Sequence, residues 1–259
     1  MEPTILSVQA LRKSFGANRA VDDVTFDVCA GELVALIGPN GAGKTTTFNM
    51  LNGQLRADGG TVQLEGTSLL GLPPRRIARM GVGRTFQVAA TFTSMTVQEN
   101  VQMAFVAHHR RAFSIWTRMR RQYADEALSL LEQVGMAGQA TRPCSELAYG
   151  DVKRLELAMA LAGSPRLLLM DEPTAGMAPS ERQTLMTLTR RLAQQRNMAV
   201  LFTEHSMDVV FAVADRVIVL ARGRIVAQGD PTEIRAHPEV QRVYFGTGAT
   251  FADQQGATP

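Results

Sequence analysis

The chain contains a glycine-rich run whose residue types and spacing suit phosphate binding. Gly38, Gly43, Lys44 and Thr45 fit the pattern G-x-x-x-x-G-K-[S/T]. Glycines let a loop turn its N–H groups inward toward an anion, and the lysine brings a positive charge to the β- and γ-phosphates. The hydroxyl that follows the lysine is a ligand for Mg²⁺ in such loops. These residues therefore predict the binding of a nucleoside triphosphate.

The segments on either side of this run favour a nucleotide site over an ordinary glycine-rich turn. Residues 33–37 are all apolar, as in a parallel strand that is buried on both faces. A helix is expected over residues 45–51, and its N-terminus would add positive dipole beside the phosphates. The predicted phosphate-binding loop consists of Gly38, Pro39, Asn40, Gly41, Ala42, Gly43, Lys44, Thr45 and Thr46.

A second pair of residues could supply the hydrolytic half of such a site. Asp171 and Glu172 directly follow the apolar run at residues 167–170. An aspartate at the carboxyl end of a strand can hold Mg²⁺, directly or through water, and the neighbouring glutamate can orient or deprotonate an attacking water. An apolar run that ends in Asp-Glu is common by itself. In combination with the phosphate-binding loop, it predicts nucleotide hydrolysis.

Composition places the chain among ordinary globular proteins. Of its 259 residues, 45% are hydrophobic and 20% are charged, and the net charge of +3 is too small to indicate nucleic-acid binding. Cys29 and Cys144 lie far apart without partners at metal-ligand spacing, which favours reduced cytosolic thiols over a structural disulfide. Neither a signal peptide nor an apolar run of about 20 residues is evident. We expect a soluble, cytoplasmic protein.

The elements that must position these residues change in character along the chain. Residues 5–10 and 24–28 alternate apolar and polar positions, as in half-buried antiparallel strands, whereas residues 96–162 have a helical pattern. Buried strands return at residues 167–170 and 199–203, and a hairpin is expected around Arg222 and Gly223. Ser180 and Gln183 predict a capping box for a helix that ends near Arg196.

Taken with Gln87, residues 147–151 and His205, these motifs resemble the ATP-binding subunits of ABC transporters over roughly residues 5–245. Residues 83–87, 147–150 and 240–246 are most similar to the subunits of branched-chain amino acid importers. The resemblance implies an α/β fold with a RecA-like P-loop NTPase core, an antiparallel β subdomain and a helical insertion. It also implies one ATPase domain over residues 1–245, with a helical subdomain at about 90–162 and a flexible tail at 246–259.

Further site residues follow from this resemblance, position by position. Phe15 matches the aromatic residue on which adenine stacks, although a phenylalanine in the protein core is the alternative. Gln87 matches a glutamine that touches the metal and the attacking water, and His205 matches a histidine that contacts the γ-phosphate. The predicted catalytic residues are thus Glu172, His205 and Gln87, and the predicted metal ligands are Thr45, Gln87 and Asp171.

The signature motif of the family corresponds to residues 147–151, with Ala148, Tyr149 and Gly150 as the expected nucleotide contacts. In the family, this helix N-terminus faces the γ-phosphate that is bound to the other subunit. Ala148 replaces the usual serine and removes one hydrogen bond, while Asp151 replaces the usual glutamine and would repel phosphate if it pointed inward. Gly150 and the helix dipole remain available. Ala178 stands where an aspartate is frequent and has no predicted catalytic role.

The expected function is ATP hydrolysis with Mg²⁺ by a dimer of two ATP-binding subunits, identical or merely related. Such a dimer would act on separate transmembrane permease subunits at the inner face of the membrane. A solute-binding protein would be an indirect partner, and no nucleic-acid partner is expected. The transported solute is a branched-chain or related amino acid, or else urea, an amide or an aromatic acid. Two competing hypotheses are a soluble ABC ATPase outside transport and a non-catalytic regulatory subunit.

Two segments connect this expectation to the membrane partners. A groove near residues 87–100 is predicted to receive a short permease helix. Residues 108–121 are basic with interleaved aromatic side chains, so they either lie near anionic lipid or a permease loop, or form a solvated connection between helices.

Overall fold

A computed structural model describes residues 2–85, 91–109 and 123–245 of the chain. Gln87, most of the basic segment at 108–121 and the tail after residue 245 lie outside these described residues. The described strands are β1 (Thr4–Phe15), β2 (Asn18–Cys29), β3 (Leu33–Ile37), β4 (Gly59–Leu64), β5 (Thr67–Ser68), β6 (Val82–Thr85), β7 (Leu167–Asp171), β8 (Ala199–Thr203), β9 (Arg216–Ala221) and β10 (Arg224–Gly229). The described α-helices are α1 (Lys44–Leu51), α2 (Pro74–Arg79), α3 (Val97–His109), α4 (Ala124–Gln133), α5 (Tyr149–Leu161), α6 (Pro179–Arg196), α7 (Met207–Val213), α8 (Pro231–Ala236) and α9 (Pro238–Phe245).

The strands form two sheets of different kinds. The larger sheet has the order β10-β9-β3-β8-β7-β6, with parallel pairing throughout except for the β9–β10 hairpin. The smaller sheet has the order β2-β1-β4-β5 and is antiparallel. Because β3, β7 and β8 run parallel in the larger sheet, their carboxyl ends meet at one edge, where ligands bind in open α/β sheets. The predicted hairpin and the predicted α/β fold class are confirmed.

Strand β3 shows how the sequence divides the interior into two cores. All five of its residues are buried. Leu33, Ala35 and Ile37 pack into the core on the side of the helical insertion, whereas Val34 and Leu36 pack into the core shared with the antiparallel sheet. This alternation follows from the two-residue period of a strand. The strand that leads into the phosphate-binding loop is therefore fixed from both faces.

Among the described residues, the predicted helical insertion at about 90–162 contains three α-helices, α3, α4 and α5, and two short 3-10 helices, Ala137–Gln139 and Cys144–Glu146. Helix α4 turns Ala127, Leu130 and Leu131 into the core, as its apolar spacing predicted. Among the described residues, the structure has no helix of the length and apolar character that a membrane span requires.

The start of helix α6 differs from the sequence prediction. The predicted capping box at Ser180 and Gln183 is wrong, because Pro179 already occupies the first turn of the helix and Ala178 is its N-cap residue. Glu181 Oε2 accepts a hydrogen bond from the Ala178 N–H at 3.2 Å. The helix therefore begins immediately after the turn that follows Glu172.

Candidate active site

One cavity of about 550 Å³ brings together most of the residues predicted to bind and hydrolyse nucleotide. Residues 40–46 line it together with Glu172 and His205, which follow β7 and β8. Phe15 also lines the cavity and is 52% exposed, so it is not a core residue. The lining residues are Phe15, Asn18, Arg19, Ala20, Asn40, Gly41, Ala42, Gly43, Lys44, Thr45, Thr46, Glu172, His205 and Arg222.

Close backbone packing fixes the path of the phosphate-binding loop. Gly43 has φ 107°, and a Cβ atom there would lie 2.4 Å from the Ala20 carbonyl oxygen of β2. Gly38 has φ 150°, and a Cβ atom there would lie 2.2 Å from the Leu220 carbonyl oxygen of β9. Both positions therefore require glycine. Close contacts with β2 and β9 therefore fix the path of the loop backbone at these two glycines.

Lys44 is a buried cation at the start of α1. Its Nζ donates hydrogen bonds to the carbonyl oxygens of Gly38 at 2.6 Å and Pro39 at 3.2 Å. Burial lowers the pKa of Lys44, and the negative charges of Glu172 and Asp171 oppose that shift. A phosphate group that binds beside this buried ammonium would stabilise its positive charge, because opposite charges attract strongly where water is excluded.

A single threonine hydroxyl connects the two acidic residues of the site. Asp171 and Thr203 are paired between β7 and β8. Thr203 Oγ1 donates to Asp171 Oδ1 at 2.7 Å and accepts from the Glu172 N–H at 3.1 Å. The pairing of two buried strands thus sets both the orientation of the Asp171 carboxylate and the backbone of Glu172.

Glu172 has an unusual backbone conformation for a glutamate. Its φ of 49° lies in the left-handed region, which costs a non-glycine residue about 1–2 kcal/mol. The chain turns sharply after β7 as a result, and Glu172 Oε1 lies 2.8 Å from His205 Nε2. A strained residue that brings a carboxylate and an imidazole together is characteristic of catalytic sites.

Sequence reasoning gave no role to Glu204, a buried carboxylate that is 3% exposed. Its Oε1 accepts hydrogen bonds from the Thr174 N–H at 2.8 Å and the Thr174 hydroxyl at 2.6 Å. Its Oε2 accepts from the His205 N–H at 3.2 Å. Glu204 therefore ties the turn after Glu172 to the histidine. The sequence feature that could have revealed this role is the position of the carboxylate, directly after a buried strand and before His205.

A second contact that the sequence did not reveal comes from the C-terminal helix α9. Val240 of this helix is fully buried, and Tyr244 packs against the same core. Burial raises the pKa of the Tyr244 phenol, and the backbone amide of Gly38 beside it opposes the shift. Helix α9 thus contacts the start of the phosphate-binding loop. In the sequence, residues 240–246 indicated only the subfamily.

The oxygen donors of Asp171 and Thr45 are of a kind that fits a magnesium ion shared with a phosphate ligand. Asp171 provides a carboxylate and Thr45, exposed on the first turn of α1, provides a hydroxyl; both are oxygen donors of the kind that Mg²⁺ prefers. Within the described ranges, no group of three or more His, Cys, Asp or Glu residues could hold a metal ion alone. Phosphate oxygens and water would complete the shell, and the bound ion would neutralise charge on the β- and γ-phosphates.

The signature region lies apart from this cavity. Ala148 is the N-cap residue of α5, and Tyr149 and Gly150 belong to the first helical turn. None of the three is among the residues that line the cavity. The Tyr149 hydroxyl donates to the Ala175 carbonyl oxygen at 3.0 Å. The structure therefore connects the signature region to the turn after Glu172, and not directly to the phosphate-binding loop.

Asp151 has partners within its own subunit. Its Oδ2 accepts a hydrogen bond from Gln139 Nε2 at 3.0 Å, and its Oδ1 lies 3.8 Å from Arg154 NH1. Because both carboxylate oxygens are engaged, Asp151 is directed toward these two side chains and away from the open end of the helix.

Comparison with known proteins finds relatives over nearly the whole chain. Residues 21–175 match the family described as ABC transporter, and residues 224–250 match the family described as branched-chain amino acid ATP-binding cassette transporter. The high-affinity branched-chain amino acid transport ATP-binding protein LivG of Salmonella typhimurium is 41% identical over 256 residues, which cover 95% of this chain and 99% of LivG. The similarly named protein BraF of Pseudomonas aeruginosa is 39% identical over 253 residues, with 95% and 99% of the two chains covered.

A solved structure agrees with this relationship. The ADP conformation of an ATP-binding cassette of an ABC transporter has a TM-score of 0.83 and 28% sequence identity, and the match covers 94% of this chain and 99% of that one. The family match includes the phosphate-binding loop and the Asp171–Glu172 pair, the two motifs on which the sequence prediction depended. The protein is therefore a member of the ABC transporter family, among its ATP-binding proteins.

Proposed function

We propose that this protein hydrolyses ATP to energise the import of branched-chain or related amino acids through separate membrane permeases. The 2.8 Å contact between His205 Nε2 and Glu172 Oε1 at the nucleotide cavity carries the proposal. This contact joins a general base to a group that reaches the terminal phosphate. The names of LivG and BraF and the C-terminal family match support the choice of solute.

The reaction is a transfer of the γ-phosphoryl group to water. The loop amides and Lys44 stabilise negative charge on the phosphates. Glu172 accepts a proton from the water as its oxygen bonds to the γ-phosphorus, and the bond from that phosphorus to the β–γ bridging oxygen breaks. His205 contacts the γ-phosphate, and Phe15 stacks on adenine. Gln87, outside the described residues, would orient the water as the family resemblance implies.

A second ATP-binding subunit would complete the site. Ala148 offers no side-chain cap to α5, and the first amides of a helix have no partner within it. This N-terminus, with Tyr149 and Gly150, is suited to the γ-phosphate held by another subunit, since helix N-termini favour anions. The second subunit is either a copy of this chain or a related chain.

A cavity of about 350 Å³ supports the docking of a permease helix. It lies between β6, α2, α3 and α5, and its walls include Ile77, Ala104 and Met159. A short apolar helix of a transmembrane partner fits a cleft of this character. Charge-neutral substitutions in its walls that leave transport fully coupled to ATP hydrolysis would contradict this docking.

The proposed location is the inner face of the cell membrane, where ATP and the permeases are both accessible. A solute-binding protein would deliver the substrate to the permeases. Transport of urea, amides or aromatic acids by the same mechanism is the main competing hypothesis. Binding measurements on the solute-binding protein that works with this chain would discriminate among these solutes. A preference for urea, an amide or an aromatic acid would overturn the choice of a branched-chain amino acid.

Substitution of Glu172 by glutamine tests the hydrolytic role. We expect Glu172→Gln to bind ATP as the parent does, to form a more persistent dimer and to hydrolyse ATP at least about 100-fold more slowly, because the amide cannot accept the proton. Steady-state phosphate release and gel filtration with ATP measure these effects. Asp208→Asn, an exposed change at the start of α7, is the matched control. Unchanged turnover in Glu172→Gln would refute the proposed base.

A further inference from the structure

We infer that Arg84 is a positioning residue that places a second cation against Asp171 and weakens magnesium binding at that carboxylate. This inference rests on the proposed role of Asp171 as a magnesium ligand. Arg84 belongs to β6, at the edge of the described parallel sheet, and has no part in the reaction proposed above.

Strand pairing brings Arg84 to the same face as Asp171. Arg84 is paired with Leu169 between the parallel strands β6 and β7. Asp171 follows Leu169 by two residues, and residues two apart on a strand share a face. Leu169 packs into the core shared with the antiparallel sheet, which also contains buried residues of α1. The arginine therefore reaches the metal side of the sheet from a neighbouring strand.

The guanidinium contacts Asp171 in a largely buried setting. Arg84 NH2 lies 3.6 Å from Asp171 Oδ2, with the two side chains only 15% and 11% exposed. Arg84 NH1 donates to Gln54 Oε1 at 2.5 Å and to Asn49 Oδ1 at 3.3 Å. Two amide oxygens thus hold the guanidinium in place. Burial lowers the pKa of Arg84 and Asp171 opposes this shift, yet an arginine keeps its charge at neutral pH.

The two oxygens of Asp171 therefore have different partners. Oδ1 accepts from the Thr203 hydroxyl, and Oδ2 faces Arg84. A magnesium ion that binds this carboxylate is repelled by the nearby guanidinium, because both are positively charged and the region has a low dielectric constant. This repulsion offsets part of the attraction between the ion and Asp171. Arg84 also lines the cavity proposed above for the permease helix. A group that draws the guanidinium into that cavity would strengthen the magnesium site.

The test compares how strongly magnesium improves nucleotide binding in matched variants of the full-length protein. The probe is fluorescent mant-ADP, titrated once with Mg²⁺ and once with EDTA, and the ratio of the EDTA Kd to the Mg²⁺ Kd is the readout. We expect Arg84→Gln and Arg84→Met to increase the ratio about threefold to tenfold, because they remove the competing charge. Arg84→Lys, which keeps a charge, should show less than half of that change. Arg79→Gln, an exposed change in the same cavity wall, should show none.

Three results would overturn the inference, and one of them also removes its premise. Circular dichroism and the thermal midpoint show whether Arg84→Gln and Arg84→Met fold. If both fold and the ratio of the EDTA Kd to the Mg²⁺ Kd is unchanged or reduced, Arg84 does not weaken magnesium binding. If Arg84→Lys matches the neutral variants, charge is not the cause. Asp171→Asn separates the two proposals. Should it retain the whole magnesium effect, the proposed metal site itself is wrong; should it lose the effect while the neutral Arg84 variants remain unchanged, only the role of Arg84 fails.

Discussion

The nucleotide cavity and the signature region differ in what holds their residues. At the cavity, Lys44 is buried against loop carbonyls, and Glu172 and His205 follow two buried parallel strands whose ends, Asp171 and Thr203, are paired. In the signature region, Ala148 and Tyr149 are exposed at a helix start without a side-chain cap. One region is packed into its own subunit, whereas the other contacts its subunit mainly through the Tyr149 hydroxyl, which donates to the Ala175 carbonyl oxygen.

This difference implies that ATP binding and closure of the dimer depend on different regions. Tight packing around the cavity implies that one subunit can bind ATP by itself, since its charged groups are already oriented. An exposed helix start gains a ligand only when another subunit brings one. Substitutions in the cavity should therefore impair nucleotide binding to single subunits or the chemistry of the dimer. Substitutions in the signature region should act only in the dimer.

Removal of the buried cation should have the largest effect. We expect Lys44→Ala to weaken ATP binding and reduce kcat/KM by about 1000-fold, because the phosphates lose a desolvated positive charge. Isothermal titration with ATP and steady-state hydrolysis measure the loss. Lys13→Ala, which removes the cation 5.5 Å above the Phe15 ring, is the control and should change kcat/KM less than about threefold. Equal losses in both variants would show that the site only requires general positive charge.

The histidine should affect chemistry more than binding. We expect His205→Ala to reduce kcat by about 100-fold while the Kd for ATP changes less than about threefold. The reason is that its contact with Glu172, and the contact with the terminal phosphate proposed above, serve the reaction. Single-turnover hydrolysis and ATP titration separate the two quantities. Ser206→Ala, at the next position, is the control. A large rise in Kd with unchanged kcat would assign His205 to the binding site instead.

Glu204 should contribute to stability and, more weakly, to turnover. We expect Glu204→Gln to lower the free energy of unfolding by about 1–3 kcal/mol, because one carboxylate oxygen is replaced by a donor that faces other donors. Urea denaturation measures this loss, and kcat should decrease severalfold as His205 loses its anchor. Thr174→Ser keeps both hydrogen-bonding groups and is the matched control. An unchanged unfolding midpoint in Glu204→Gln would contradict the proposed anchor.

Introduction of a serine at position 148, in the signature region, should have the smallest effect. We expect Ala148→Ser to increase steady-state turnover about twofold to fivefold through one additional hydrogen bond across the dimer, while ATP binding to single subunits is unchanged. Turnover as a function of protein concentration distinguishes dimer closure from binding. Ala178→Ser, at the N-cap position of α6, is the control. A change in the Kd of single subunits for ATP would contradict the expectation that the signature region acts only in the dimer.

Local patterns predicted the parts of the fold whose chemistry is contained in a short segment. The strand, loop and helix around Lys44 were placed correctly because a buried strand and a glycine loop are both visible in sequence. The N-cap of α8 is equally local, because the Asp230 side chain accepts a hydrogen bond from the Thr232 N–H at 2.7 Å. The capping box at Ser180 was wrong because a competing pattern two residues earlier, with Pro179 and Glu181, fixed the start of the helix.

Contacts between distant segments were not predictable in this way. Arg84 and Asp171 lie on different strands, and Tyr244 meets Gly38 across almost the whole length of the chain. Their meeting depends on strand order and helix packing, which no single segment determines. The roles of the site residues, the domain boundaries and the absence of a nucleic-acid partner remain predictions.

The position of β3 has a consequence for synthesis. The strand that carries the phosphate-binding loop lies between β8 and β9. Both neighbours leave the ribosome more than 150 residues after β3, and such long-range pairing slows folding. A nascent chain therefore exposes one of its most apolar strands for most of translation, and chaperones that shield unpaired strands should engage it during that interval.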